Sequence, residues 1–417
     1  MSHSIGIDVG GTFTDLVAVS LVDGRVSAGK ALSTPQDQSV GVESALNTHT
    51  PRDGGPVRRI VHGTTVVTNM LLERRGARVV LCATAGASDL LILRRQERAA
   101  LYDLTAHHPP PLVDAESVVE VGERIAPEGT LKSLGDVEAE RVAESVAALA
   151  PDIVAVSLLH AYADSSHEQR LARAIEKRLP GVDVVLSSEV LPEIREYERT
   201  ATTVCEAYAR PGVGLYLQRL GNRLQALGLP APGVVGSNGG MRDAADAARH
   251  AASLALSGPA GGVAGAALVA RLAGFERALT IDIGGTSADV GLVLDGQPLV
   301  EAGGSVAGVP IALPRVLVET VSAGGGSLGW VDDGGALRVG PRSAGAVPGP
   351  VAFGRGGTQA TVTDAHVTLG NIRADRMGSE VTIDADGARA AVARLAEALG
   401  ADIERTARAM IATADAA

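Results

Sequence analysis

Two stretches of the chain carry residue types suited to phosphate chemistry. The first is Ile7-Asp8-Val9-Gly10-Gly11-Thr12-Phe13-Thr14-Asp15. The second, far along the sequence, is Ile281-Asp282-Ile283-Gly284-Gly285-Thr286-Ser287-Ala288-Asp289. The isoleucine, both aspartates, both glycines and the first threonine recur in place. Each copy follows a strand-like stretch and precedes an apolar run, Leu16-Val17-Ala18-Val19 in one and Val290-Gly291-Leu292-Val293 in the other. Paired glycines permit a turn that side chains would block. Their backbone N–H groups are uncovered and form a small nest for anionic oxygens. Thr12 and Thr286, with Thr14 behind the first turn, add hydroxyls. Asp8 and Asp282, backed by Asp15 and Asp289, make chemical sense beside such a nest if a magnesium ion lies between carboxylate and phosphate. A Gly-Gly pair also suits a plain hairpin turn, but repetition with matched aspartates and threonines favours a pair of hairpins gripping both ends of a triphosphate. No Gly-x-x-x-x-Gly-Lys-Ser/Thr run is present, so this is not a P-loop.

Alternating strand and helix patterns must position these turns. Strands are expected at 4–9, 15–21, 25–32 and 59–61, with a helix opening near Pro35. A helix over 64–75 is expected to stop at Gly76, a favourable C-terminal cap. Strands at 78–83, 153–158 and 182–186 alternate with helices at 137–149 and 167–178, the signature of an α/β fold. A helical stretch over 197–227 is broken in the pattern by Pro211-Gly212. Further on come a strand at 233–235, helices at 244–250 and 263–273, a strand at 278–283, a glycine-rich segment over 323–357, and helices at 388–399 and 403–414. A division into 1–192 and 193–417 follows from this order.

Other candidates cluster near the turns. His62 precedes Gly63-Thr64-Thr65, where a helix N-terminus favours anions; Thr64 or Thr65 would alternatively act as a helix cap. Asn69 falls about one helical turn later. Asn238 lies in Ser237-Asn238-Gly239-Gly240, and Gly258 and Gly261 in Ser257-Gly258-Pro259-Ala260-Gly261-Gly262, which opens a helix. Gly324-Gly325-Gly326 reads either as a backbone anion site or as a loop. The charged run Arg195 to Arg199 reads by default as a solvated face, with Glu198 or Arg199 as residues able to reach a domain junction. His107-His108 followed by three prolines reads as an extended exposed loop.

The 417 residues are 46% hydrophobic and 20% charged, ample for sizeable cores, and carry a net charge of −11 with 2% aromatics. That balance argues against nucleic acid as a partner. Cys82 and Cys205 have no disulfide or zinc spacing, which points to a reducing, cytoplasmic setting. No signal-peptide pattern opens the chain, and the most apolar stretch, 251–274, is interrupted by Gly and Pro, so no membrane span is expected.

The two hairpins resemble the phosphate 1 and phosphate 2 motifs of the actin / sugar kinase / heat-shock ATPase superfamily. Within it the chain resembles the hydantoinase A / 5-oxoprolinase family from about residue 4 to about 410. The similarity rests on the opening Ile7-to-Asp15 motif, His62-Gly63-Thr64-Thr65-Val66-Val67-Thr68-Asn69, Arg195-Glu196-Tyr197-Glu198-Arg199-Thr200, Ser257-to-Gly262, Ala323-Gly324-Gly325-Gly326-Ser327, and Thr361-Val362-Thr363-Asp364-Ala365. The resemblance implies an actin-like (ribonuclease H-like) α/β fold, two related lobes around a nucleotide cleft, ATP and Mg2+ as cofactors, and a cyclic amide substrate whose carbonyl oxygen is phosphorylated. It also implies a B-type partner subunit and a homo- or hetero-oligomer. Related chains carboxylate ketones instead. Two departures stand out. No Gly-Gly-Ala-Gly adenosine motif follows Asp289, which implies a C-terminally incomplete chain or a non-catalytic, scaffold-like relative. Where the family often has Asp-x-His-Thr, this chain has Leu317-Val318-Glu319-Thr320, leaving Glu319 as the possible metal ligand.

Overall fold

The structure, a computed structural model, describes all residues except 1, 11–12, 35–36, 51–54, 346, 373–381 and 417. The chain forms two compact units of interleaved segments. One contains residues 1–62, 258–299 and 316–417; the other contains 63–257 and 300–315. The sequence regions 1–192 and 193–417 each contribute to both.

The first unit holds both Asp-Gly-Gly-Thr segments, and its elements are labelled here along the chain. β1 (His3–Val9) pairs antiparallel with β2 (Phe13–Ser20), and β2 with β3 (Val26–Leu32). Helix α1 (Gln38–His49) starts at Asp37, whose side chain accepts from the Ser39 N–H, satisfying one of the open donors of the first turn. It packs against β1–β3 and buries Val42, Ala45 and Leu46. β4 (Val57–Thr64) returns beside β1, giving the order β4-β1-β2-β3.

The second copy in this unit begins with α2 (Ser257–Leu272), followed by β5 (Ala278–Ile283) and β6 (Ala288–Leu294), an antiparallel hairpin. β7 (Val318–Val321) pairs antiparallel with β6. Ala260, Val263 and Ala267 on α2 pack against Val293, Val316 and Val318. Close contact here requires a missing side chain: a Cβ on Gly291 would lie 2.2 Å from Val263. A hairpin, Ser327–Val331 with Leu337–Ser343, and helices Val362–Thr368, Ala385–Leu399 and Ile403–Asp415 complete the unit. Their core gathers Ala365, Val392, Leu395, Ala407 and Met410.

The other unit is built on a parallel sheet in the order Asp183–Leu186, Ile153–Ser157, Val79–Thr84, Val118–Val121. Every residue of the two central strands is buried, as a parallel sheet covered on its faces demands. Helices Asp136–Ala148 and Ser166–Arg178 supply apolar stripes, Ala139-Val142-Ala143-Val146 and Leu171-Ala172-Ile175, to that core.

Three local expectations are corrected. The break expected at Pro211-Gly212 is absent, and one helix runs through it over Glu196–Ala226. Proline removes one helical donor, but the turns before it, Arg199 to Ala209, are buried on every side of the helix. Gly212 lies against the end of the Met70 side chain, 2.5 Å from where its Cβ would be. The expected cap at Gly76 is also displaced. Helix Val66–Glu73 ends at Arg74 in the left-handed region, φ 54°, while Gly76 makes room for the Tyr208 ring, 2.2 Å from where its Cβ would be. Arg199 is not on a solvated face. It is buried and donates to the carbonyls of Glu193 and Leu158 at 2.8 and 3.0 Å.

Candidate functional site

The two hairpin turns are built alike. The Gly10 N–H donates to the Phe13 carbonyl at 2.9 Å, and the Gly284 N–H to the Ser287 carbonyl at 2.8 Å. A Cβ at either glycine would crowd that same carbonyl, at 3.2 and 3.3 Å, so both turns leave little room for a side chain at the first position. In both copies the aspartates stand opposite each other across the hairpin, Asp8 with Asp15 and Asp282 with Asp289. Gly11 and Thr12 lie outside the described residues. Gly285 and Thr286 form the second turn, and Asp282 precedes it on β5.

The carboxylates of the two copies lie within charge range of each other in this unit. Burial raises the Asp8 carboxyl to about 6, and the charges of Asp15 and Asp282 add to the rise, with Lys30 opposing it. Asp8 is exposed at the surface as a residue, although protein atoms crowd its carboxyl. Gly258, in the first turn of α2, approaches it so closely that a Cβ would lie 3.0 Å from Asp8 Oδ1; Gly261 lies on the same helix. Burial also raises Asp289, whose Oδ1 accepts from the Thr320 hydroxyl at 2.7 Å. Asp15 has a different partner: Lys30 Nζ is 2.8 Å from its Oδ1. Four carboxylates so arranged repel one another and are stabilised by any cation that enters among them.

Several candidates take other positions than expected. His62 lies inside β4, fully buried, and burial lowers it to about 4 with a backbone hydrogen bond to Ile7 opposing the shift. It is therefore a neutral group of the sheet rather than an exposed residue at a helix entry. Thr14 is buried, its hydroxyl 3.2 Å from Ser33 Oγ, and Ser33 in turn donates to the Gly10 carbonyl at 2.8 Å. Both stiffen the first turn from behind.

The anion nest expected of Gly324-Gly325-Gly326 is not what this loop offers. The Gly325 and Gly326 N–H groups donate to the carbonyls of Gly284 and Gly285 at 2.9 and 2.6 Å. A Cβ on Gly324 would be 2.8 Å from the Gly284 carbonyl oxygen. The loop is a brace against the second turn, with its donors already committed. Glu319 stands opposite Val290 and Thr320 opposite Asp289. Strand alternation therefore turns Glu319 to the face away from the aspartates, which removes it as a ligand beside them.

Thr64, Thr65, Asn69 and Asn238 belong to the other unit. Thr64 is buried, and its carbonyl accepts from Ser257 Oγ at 2.9 Å. Thr65 caps helix Val66–Glu73 by position without a side-chain bond to it, and accepts from Asn69 Nδ2 at 3.3 Å. Asn238 is exposed, accepts from the Gly240 N–H at 2.9 Å, and lines a cavity of about 460 Å³ with Glu189, Arg210, Arg242 and His250. Lys30 and Ser33 carry no motif signal of their own, and Thr320 stands out only as the last residue of Leu317-Val318-Glu319-Thr320. Lys30 and Thr320 sit one strand away from the motif at the positions paired with Asp15 and Asp289, so only the strand register reveals them.

Residues 4–179 match the model of the hydantoinase/oxoprolinase N-terminal region, and residues 199–417 that of hydantoinase/oxoprolinase. The chain belongs to the hydantoinase/oxoprolinase family. Caprolactamase subunit alpha of Pseudomonas jessenii is 35% identical over 97% of this chain and 60% of its own length. Acetone carboxylase beta subunit of Xanthobacter autotrophicus is 30% identical over 99% of this chain and 60% of its own. Among solved structures, nucleotide-free acetone carboxylase superposes with a TM-score of 0.83 at 29% identity, covering 99% of this chain and 61% of that one. ATP-dependent caprolactamase from Pseudomonas jessenii gives 0.82 at 33%, over 99% and 62%. The fold is thus a mixed α/β fold of the actin-like ATPase type, and the chain spans about 60% of the length of these relatives. Among the described residues no helix is long and apolar enough to cross a membrane.

Proposed function

We propose that this chain is the ATP-handling part of a subunit that activates a cyclic amide, of the hydantoin or 5-oxoproline type, for hydrolysis. The observation that carries the reading is the meeting of the two hairpins, with Asp8 and Asp282 within charge range of each other. The substrate's carbonyl oxygen attacks the γ-phosphorus of ATP and ADP leaves. The O-phosphorylated amide then takes water at carbon. The C–N bond breaks as the ring nitrogen takes a proton, leaving an acyl phosphate, and a second water attacks that carbonyl to release phosphate and the carboxylate. An amide carbonyl is a poor electrophile, and phosphorylation turns its oxygen into a leaving group. The protein's part is positioning and charge neutralisation.

Mg2+ fits the donor set, because hard oxygen ligands suit it and it is commonly held by one or two carboxylates plus phosphate oxygens. Among the described residues no three acidic or imidazole groups form a ready-made metal cage. Asp8 and Asp282 would hold the ion, which would supply charge compensation for the transferring phosphoryl group. The N-terminus of α2 favours anionic oxygens nearby. A partner of the B type would receive the activated species. Cytoplasmic placement fits two free, buried thiols, Cys82 and Cys205.

The acetone carboxylase relatives favour a second reading, in which a ketone enolate oxygen is phosphorylated before carboxylation. An ATPase screen of the full subunit with its partner tests both. Lactams and hydantoins should raise ADP release without bicarbonate, whereas ketones with bicarbonate would do so under the second reading. Turnover indifferent to every such compound would sink the proposal.

A further inference from the structure

The unit that lacks the hairpins holds a cavity of its own. Its volume is about 460 Å³, and its walls come from four separate stretches of that unit. Small-molecule sites are commonly of this size. The floor is fixed. Glu206, on helix Glu196–Ala226, is 2% exposed. Its carboxylate accepts from the Ala251 and Ala252 N–H groups at 2.9 and 2.8 Å and from Arg210 Nε at 3.1 Å. Arg210 also donates to Asp183 and to the Arg249 carbonyl, both at 3.0 Å. The stretch from Arg249 to Ala252 is thereby clamped in advance, which lowers the ordering cost of binding.

Most charges around this floor already have partners. Asp246 is 2.6 Å from Arg242 and 3.1 Å from His250. Two lining charges differ: among the described residues, neither Glu189 nor Arg249 takes part in an ion pair, with each other or with a third group. Asn238 lines the same cavity. Its Oδ1 accepts from the Gly240 N–H at 2.9 Å, which leaves both Nδ2 hydrogens to donate. An acid and a base that share a concavity without meeting, with an amide donor beside them, suit a molecule that carries both charges.

We infer that this cavity binds a small zwitterion, an amino acid whose carboxylate meets Arg249 and the Asn238 amide and whose ammonium meets Glu189. The planar fork of an arginine matches a carboxylate. Hydrolysis of a lactam makes such a molecule, because the broken C–N bond leaves a carboxylate and an amine that takes up a proton. That link to product rests on the proposed reaction; the recognition of a zwitterion rests on the cavity alone.

Titration calorimetry of the 417-residue chain, without nucleotide or partner, tests it. The probes are glycine, γ-aminobutyrate and ε-aminohexanoate, which separate the two charges by increasing lengths, and butyrate and butylamine, which carry one charge each. At least one zwitterion should bind with a Kd of about 1 mM or tighter. It should bind at least about tenfold more tightly than either single-charge probe, since a charge-assisted hydrogen bond contributes on that order. Glu189→Gln and Arg249→Met, both at exposed positions, should each weaken that zwitterion by about tenfold or more and leave the unfolding midpoint of the ligand-free chain in place. Three results overturn the inference: no zwitterion bound at about 10 mM, butyrate bound as tightly as the zwitterion, or affinity unchanged in either variant. The ATPase screen uses none of these ligands, so a failure there leaves this binding intact, and a failure here leaves the proposed reaction intact.

Discussion

At the first hairpin Asp15 is held by a lysine, Lys30, at 2.8 Å; at the second, the equivalent Asp289 accepts from a hydroxyl, Thr320, at 2.7 Å. The first turn is backed by Ser33, whose hydroxyl donates to the Gly10 carbonyl, the second by a glycine loop whose N–H groups donate to Gly284 and Gly285. Matching glycine-to-carbonyl bonds are thus embedded in unlike electrostatics and unlike supports. Among the described residues a cation stands beside one pair of carboxylates and a hydroxyl beside the other, which makes the site polar along its length. The difference suggests that the two copies hold different parts of one ligand rather than two equal ligands.

Removing the aspartates should affect the pair most. Asp8→Asn and Asp282→Asn in the assembled enzyme are each expected to lower ATP turnover by about 10²–10³-fold, the usual loss of a group that stabilises transferring charge. Steady-state kinetics with saturating Mg-ATP checks this. If one variant retains full turnover, its hairpin is not part of the site.

The neighbours of the two copies should respond differently to pH. The folded state lowers His62, beside β1, from 6.5 to about 4. The unfolded chain therefore binds the extra proton between those values, and stability is lost as pH falls from about 6.5 towards 4. The linked loss is up to about 3 kcal/mol. Urea midpoints across that window should show it for the parent chain and show it flattened for His62→Gln. An unchanged slope in the variant would place the acid sensitivity elsewhere.

Glycine substitutions separate the two supports. Gly324→Ala would drive a Cβ into backbone atoms at 2.8 Å, whereas Gly10→Ala meets a carbonyl at 3.2 Å. The first should cost about 1–3 kcal/mol, as overpacking does, and the second less. Thermal unfolding gives the order, and a reversed order would mean that the glycine loop can move away from the second turn.

The smallest effects belong to the partners of Asp15 and Asp289. Lys30→Met removes the positive charge that opposes the rise of Asp8, so the activity limb that rises with ionisation near pH 6 should move to higher pH. Its stability cost should stay within roughly 0.2–1 kcal/mol, as for exposed pairs. Thr320→Val should raise Asp289 further and leave Asp8 in place. A shift of the same limb by both variants would erase the proposed asymmetry between the copies.

Much of the architecture is legible in the order of residues. The repeat, the alternation of strands and helices, and most element positions follow from period and turn chemistry, because those signals are local. Helix 166–178 is an example, its apolar stripe spaced to face one side. Glycine is less legible. Gly76 looks like punctuation along the chain, yet the Tyr208 ring occupies the space of its Cβ, and Gly212 lies inside a helix against Met70. His62 has the sequence setting of a contact group and is a buried ring. In each case the deciding neighbour is distant in sequence.

The amino-acid sequence alone determined that two Asp-Gly-Gly-Thr turns would form, since paired glycines between strand-forming runs leave the backbone few alternatives. Only the tertiary structure decided that both turns belong to one compact unit, that Lys30 and Thr320 serve as their partners, and that Glu319 faces away. Register and packing settle those matters, because a one-residue shift in pairing reverses every side chain in a strand.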